Sequence, residues 1–353
     1  MSSVLEIARP DLIGLQPYQH AAWEPTLERL HANELPWRPQ GDNSRAGLNR
    51  YPEPQPRELV LALAHHYGVR PDQVLVGRGS DEAIDLLVRG FCRAERDRVM
   101  VFPPTFGMYK VAATIQGAGV VEVPLDRTRG FSLDEAGLFG QWQPGTKVLF
   151  FCSPNNPTGN LLDTNVIERV CARLAGQALI VVDEAYVEFA GTPSLSAALG
   201  DHDNLVVLRT LSKAHALAGA RCGALLGDPA LVDLLKRMIP PYALPAPTIE
   251  AALHALEAPQ LAFSKARREL IVAERARLAT ALARVPSVRK VWPSAANYLL
   301  VECVDPERAF RAAIEAGLLI RDVRSYLGLG SHLRVSIGTP EQNDRLLQAL
   351  ETA

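Results

Sequence analysis

No apolar run in this chain approaches the roughly 18 residues that a membrane span needs, although 48% of its 353 residues are hydrophobic. Cysteine is scarce. Cys92, Cys152, Cys171, Cys222 and Cys303 stand at least 19 residues apart, with no C-x-x-C pair. That excludes a disulfide scaffold and a zinc-finger spacing, and leaves reduced, mostly buried thiols in a cytoplasmic protein as the expectation. The opening "MSSVLEIARPDLIG" has no long apolar stretch after a basic start, so it does not read as a secretory signal. An excess of either charge is also missing. Lys and Arg total 37 against 39 Asp and Glu, a formal net charge of −2, so no global field favours nucleic acid or an anionic membrane. The most basic stretch, residues 265–290, mixes arginine with glutamate and apolar residues at helical spacing and reads as a solvated helix face. No G-x-S-x-G nucleophile elbow occurs, and "GRGSDE" lacks the third glycine of a dinucleotide fingerprint. No helix-turn-helix or basic segment precedes residue 50.

The length suits about two domains. After an irregular first fifty residues, helix and strand patterns alternate. "PRELVLALAHHYG" reads as a helix with Pro56 in its first turn and Gly68 as its stop, and "SDEAIDLLVRGF" as a helix with Ser80 as N-cap. Seven strand-like runs lie between Val74 and Leu226: "QVLVG", "RVMVF", "VVEVP", "KVLFFC", "ALIVVD", "LVVLR" and "CGALLG". Most are apolar throughout, as strands buried on both faces of a parallel sheet are. Only about a dozen residues join the last two, the lower limit for a helical crossover, so the last strand is expected to run antiparallel. "PPYALPAP" reads as a break. Beyond it, helical patterns over residues 248–284, the strands "NYLLVEC" and "HLRVSIG", and helices at "PERAFRAAIEAG" and "PEQNDRLLQALE" make a smaller α+β unit. The expected fold class is α/β, with residues 1–45 as an N-terminal arm and part of the small domain, 46–245 as the large domain and 246–353 as the small one.

In open α/β sheets ligands bind beyond the carboxyl ends of the strands. There the chain places "RGSDEA", "SPNNPTGN", "DEAYVEF" and "RTLSKAHALAGARCG". Each has a plainer reading: an N-cap, a turn, a helix cap, a solvated lysine. Together they bring a phosphate cradle, an amide, an acid, a tyrosine and a lysine to one edge. A lysine that forms an imine, an acid for a ring nitrogen and a phosphate cradle match pyridoxal 5'-phosphate. No paired His or carboxylate spacing accompanies Asp183, so no metal is expected.

On these motifs, with "HANELP", "LNRYPEPQP", "PPTFGMY" and "LRVSIGT", nearly the whole chain resembles the fold-type-I pyridoxal-phosphate aminotransferases, and among them the histidinol-phosphate aminotransferases. The resemblance implies a mostly parallel seven-stranded sheet flanked by helices, and a homodimer. It implies that Lys213 carries the cofactor and moves the substrate proton, that Asp183 pairs with the pyridine nitrogen, and that Asn156 and Tyr186 bond the phenolic oxygen. The phosphate would lie on Ser80, Asp81, Ser212 and Arg221, with Tyr51 reaching it from the partner subunit. Phe106 takes the ring-stacking place where family members commonly have tyrosine, and Tyr109 nearby reads as a possible core residue. On the substrate side Arg334 resembles the carboxylate-binding arginine, Arg321 and Tyr18 resemble residues that meet the substrate phosphate, and Asn33 lies in a segment resembling one that closes over the site. Tyr242, in the Pro-rich loop, is a candidate to line the pocket. The implied substrates are L-glutamate with 2-oxoglutarate and histidinol phosphate with imidazole-acetol phosphate. The rival readings are an aromatic-amino-acid aminotransferase, a threonine-phosphate decarboxylase and a non-catalytic ligand sensor.

Overall fold

The computed structural model describes residues 4–19, 24 and 26–353. Seven strands form the larger sheet: β1 Val74–Gly77, β2 Arg98–Val101, β3 Gly119–Glu122, β4 Thr146–Cys152, β5 Leu179–Asp183, β6 Leu205–Thr210 and β7 Gly223–Leu226. Their order is β1-β7-β6-β5-β4-β2-β3. The run from β3 to β6 is parallel, and β7 is antiparallel to both β6 and β1, as the short link before it implies. β1, β5, β6 and β7 are buried at every position, because helices cover both faces. One face packs against helices Arg57–Tyr67 and Thr164–Arg173, the other against Ser80–Phe91, Met108–Gln116 and Pro229–Met238.

The smaller sheet has the order β10-β11-β9-β8, where β8 is Val288–Val291, β9 Tyr298–Cys303, β10 Arg321–Asp322 and β11 His332–Ser336. β8 and β10 correct the sequence reading. The basic stretch 265–290 is not one helix face: helix Ala258–Leu282 ends inside it and β8 follows. β8 carries Arg289 and Lys290, both exposed, so it lacks the apolar signal of a buried strand, and charges suit an edge. The Pro-rich break is also shorter than expected, since a helix begins at Ala246 with Pro247 in its first turn. Among the described residues, no helix is long and apolar enough to cross a membrane, and all five cysteines are free and buried.

At the carboxyl edge of the large sheet, Gly223 opposes both Gly77 and Thr210. A Cβ on Gly223 would lie 2.8 Å from the Gly79 carbonyl carbon and 2.9 Å from the Arg209 carbonyl oxygen. Both neighbours are backbone, so neither can rotate away. Gly223→Ala is therefore expected to destabilise the cofactor-free protein by about 1–3 kcal/mol, the usual range for overpacking, measured by urea unfolding. An unchanged midpoint would show that the two backbones have slack.

Candidate active site

The helix Ser80–Phe91 starts at that edge. Its N-cap is Gly79, at φ 80°, and not Ser80, which is the first helical residue. The correction matters chemically. No side chain caps this helix, so its leading N–H groups stay available to an anion. Arg221 closes the same corner: its guanidinium donates to Ser212 Oγ at 3.3 Å and to Asp81 Oδ2 at 3.0 Å. A Cβ on Gly79 would approach Arg221 Nη2 to 2.8 Å, so glycine keeps room for the guanidinium. N–H groups, a hydroxyl and an arginine converge as a phosphate needs.

Ser80, Asp81, Phe106, Asn156, Asp183, Tyr186, Ser212, Lys213 and Arg221 line one cleft. The structure thus brings together all the cofactor residues expected from sequence except Tyr51. The Lys213 side chain is exposed, and what it exposes faces the cleft. Protein nonetheless surrounds it closely enough that desolvation lowers its amine pKa. Arg334 and Arg221 push in the same direction, while Asp81 and Asp183 oppose them. The amine lies 5.7 Å from the centre of the Tyr186 ring.

Asp183 ends β5, buried, with no cationic side chain in ion-pair range among the described residues. Burial raises its carboxyl to about pH 6, against the lowering effect of hydrogen bonds from Tyr109 and Ala185 N–H. A buried acid of this kind is completed by a cation, such as a protonated ring nitrogen. Tyr109 is the functional residue that sequence reasoning placed in the core. It is fully buried, stacks on Phe150 at 4.7 Å, and its hydroxyl donates to Asp183 Oδ2 at 2.8 Å. The available signal was its place three residues after Phe106, in the first turn of the helix that starts just beyond it. Their rings meet edge-on at 5.6 Å.

These pKa directions give a signed prediction for the cofactor-free protein. The folded pKa of Asp183 lies above its ordinary 3.8, so the folded state binds more protons between pH 4 and 6 and stability falls as pH rises through that window. Asp183→Asn removes the buried charge, and its amide can still accept from Ala185 N–H and donate to Tyr109. The variant should be more stable than wild type by about 2–3 kcal/mol at pH 8 and equal to it near pH 4. Paired thermal melts across this range test the sign. A variant less stable than wild type at pH 8 would contradict the burial argument.

The small sheet supplies Arg334. Its Nη1 donates to Asn156 Oδ1 at 2.5 Å, and Asn156 Nδ2 lies 3.4 Å from the Tyr186 hydroxyl. Arg334 Nε is buried without a hydrogen-bond partner. Arg321 is its direct cross-strand neighbour, β10 against β11. Two like charges at paired positions repel, and neither has a carboxylate within ion-pair distance among the described residues. The pair suits an incoming anion.

Tyr18, Asn33, Tyr51, Tyr242, Arg321 and Arg334 do not line the Lys213 cleft of this chain, and Arg334 meets it only through its bond to Asn156. Tyr18 is 71% exposed and borders a separate groove with Glu53, Lys236 and Arg237. Tyr51, half exposed, stacks on Tyr242 with ring centres 4.6 Å apart. Asn33 is exposed at φ 57°. Among the described residues, no cluster of three His, Cys, Asp or Glu could hold a metal ion.

A family model described as aminotransferase class I and II matches residues 25–350. A histidinol-phosphate aminotransferase of Stenotrophomonas maltophilia (strain R551-3) is 48% identical over 354 residues, 99% of this chain and 97% of the relative. Of solved structures, the histidinol-phosphate aminotransferase from Clostridium acetobutylicum superposes with a TM-score of 0.78 at 22% identity, covering 86% of this chain and 90% of the other. That from Sinorhizobium meliloti, in complex with pyridoxal-5'-phosphate, gives 0.73 at 26% identity, covering 86% and 82%.

Proposed function

We propose, for a chain that belongs to the class I and II aminotransferases and among them to the histidinol-phosphate aminotransferase family, that it uses pyridoxal 5'-phosphate to move an amino group between L-glutamate and imidazole-acetol phosphate. The observation that carries this reading is the Lys213 cleft: an amine of depressed pKa, a buried acid without a cation, and an uncapped helix start beside Arg221, all at one sheet edge.

The residues fit the cofactor. Ser80 and Asp81 N–H, Ser212 and Arg221 would hold its phosphate, Asp183 its ring nitrogen, Asn156 and Tyr186 its phenolic oxygen, and Phe106 its ring face. When bound, the cofactor supplies the electron sink that stabilises negative charge on the substrate carbon. Asp183 keeps its charge against the ring nitrogen, and Tyr109 holds its carboxylate in place. Lys213 Nζ takes the proton from the amine-bearing carbon and returns a proton later. It needs to be neutral for the first step, and desolvation, with Arg334 beside it, lowers its pKa in that direction. Arg334 receives the substrate anion, and its bond to Asn156 ties that anion's position to the cofactor's.

Choice of substrate rests on the 48% identity over 99% of the chain. It is tested by comparing kcat/KM for histidinol phosphate with those for aromatic amino acids and for L-threonine phosphate, with carbon dioxide release followed for the last. A preference of tenfold or more for an aromatic amino acid, or release of carbon dioxide, would replace this reading with a related one.

A homodimer, residing in the cytoplasm, is part of the proposal. Its support is Tyr51, which lies on the surface of this chain and outside its cleft. If Tyr51 serves the partner's phosphate site, mixing the inactive variants Tyr51→Ala and Lys213→Ala under subunit exchange creates one intact site in each mixed dimer. Activity should return to roughly a quarter of wild type at equal mixing. A mixture that exchanges subunits and stays inactive would confine Tyr51 to its own chain.

A further inference from the structure

Behind the cleft, on the opposite face of the large sheet, lies a buried ionic cluster that the reading above does not use. Arg209 Nη2 donates to Glu188 Oε1 at 2.8 Å, and Nη1 lies 3.5 Å from Glu184 Oε2. All three side chains are at most 7% exposed. The Arg209 guanidinium lies over the Tyr67 ring, 4.5 Å from its centre. Glu184 also accepts from Ser194 Oγ and from Leu195 N–H. The strand pattern sets this placement. Leu205 and Val207 face the helix Arg57–Tyr67, and Arg209 continues that alternation, while Asp183 continues Leu179 and Val181 on the other face.

Replacing a buried ion cluster with packed apolar side chains commonly costs no stability, so burial alone does not explain this one. Its anchors do. Glu184 directly follows Asp183, Glu188 lies two residues after Tyr186, and Arg209 lies three and four residues before Ser212 and Lys213. Every arm of the cluster is thus a short backbone step from a residue of the cleft. The guanidinium has a rigid fork, and its two carboxylates come from two separate points of the segment after β5. A slip of β5 against β6 at this edge would break one pairing and leave a buried charge exposed to no partner.

We propose that Arg209 is a positioning residue: through Glu184 and Glu188 it fixes the backbone carrying Asp183, Tyr186, Ser212 and Lys213, and thereby the orientation of the bound cofactor. This rests on the cofactor reading above. The test uses holoenzyme of wild type, Arg209→Met and Arg209→Lys at matched cofactor occupancy. Two quantities are read: the visible circular dichroism of the bound cofactor, and kcat and KM separately. Arg209→Met should lower kcat by about ten- to a hundredfold, the cost of small misplacement, with KM changed less than about threefold. Its circular dichroism per bound cofactor should weaken. Arg209→Lys, which keeps the charge, should recover part of both. If Arg209→Met does not fold, Glu188→Gln, which keeps shape and an acceptor, carries the same two readouts. Unchanged kcat and circular dichroism per bound cofactor in the folded variant would overturn the proposal and leave the cluster a brace of stability alone. A wild-type protein with no cofactor band would instead overturn the cofactor reading and this proposal with it.

Discussion

Lys213→Ala is expected to lower kcat for amino transfer by at least about a thousandfold while the chain stays folded. A positioned general base alone contributes roughly a hundred- to ten-thousandfold, and this amine is also the group expected to hold the cofactor covalently. The fold should tolerate the change. The lysine sits at the cleft surface, and its own environment disfavours its charge, with desolvation and Arg334 both lowering its pKa. Borohydride reduction of the wild-type holoenzyme, followed by peptide mapping, should place the cofactor on Lys213. The variant, with occupancy checked by absorbance, should bind the cofactor without that linkage. A label on another lysine, or a variant retaining a tenth of wild-type kcat, would remove Lys213 from its role.

Arg334→Ala should weaken both substrates, and this is the second large effect. Glutamate presents an α-carboxylate. Histidinol phosphate presents a phosphate on the carbon beside its amine-bearing carbon. One arginine can meet both at the same place, and Arg334 is suited to do so: it is anchored to Asn156 at 2.5 Å, and its Nε is buried without a partner. Losing a buried charge partner costs on the order of 2–5 kcal/mol, or roughly thirty- to a few thousandfold in kcat/KM. Arg321, exposed and directly across the strand pair, should matter more for the dianion. Arg321→Ala is expected to reduce kcat/KM for histidinol phosphate more than for glutamate. Half-reaction kinetics with each amine decide both points. An Arg334→Ala enzyme that spares either substrate contradicts a shared anion position, and equal losses in Arg321→Ala deny it a phosphate-selective part.

The large sheet was legible because its strands are buried on both faces and so read as apolar runs, and because a dozen residues are too few for a crossover before β7. β8 and β10 were not legible. One carries Arg289 and Lys290 at a sheet edge, the other is two residues long, Arg321–Asp322, and neither has a periodic apolar signal. In the cleft, residue types and strand-end positions were readable, but pairing was not. Tyr109 looked like core because it is core, and its hydroxyl reaches Asp183 only through the packing of helix Met108–Gln116 on the sheet. Ser80 looked like a cap because its hydroxyl suits one, yet Gly79 at positive φ takes that place beside Arg221. The partners of Arg209 lie 21 and 25 residues earlier, a spacing that no local pattern announces. Tyr18, Asn33 and Tyr51 lie on the surface of the chain, outside the Lys213 cleft, a placement that local sequence does not show.

The most direct test of the whole reading is a single-turnover spectrum. Holoenzyme mixed with histidinol phosphate, in the absence of any acceptor, should lose the visible band of its cofactor within one turnover, release imidazole-acetol phosphate in equal amount to active sites, and recover the band when 2-oxoglutarate is added. Phenylalanine and threonine phosphate at the same concentration should convert it at least tenfold more slowly. A band untouched by histidinol phosphate, in a protein that has bound pyridoxal phosphate at Lys213, would contradict the account.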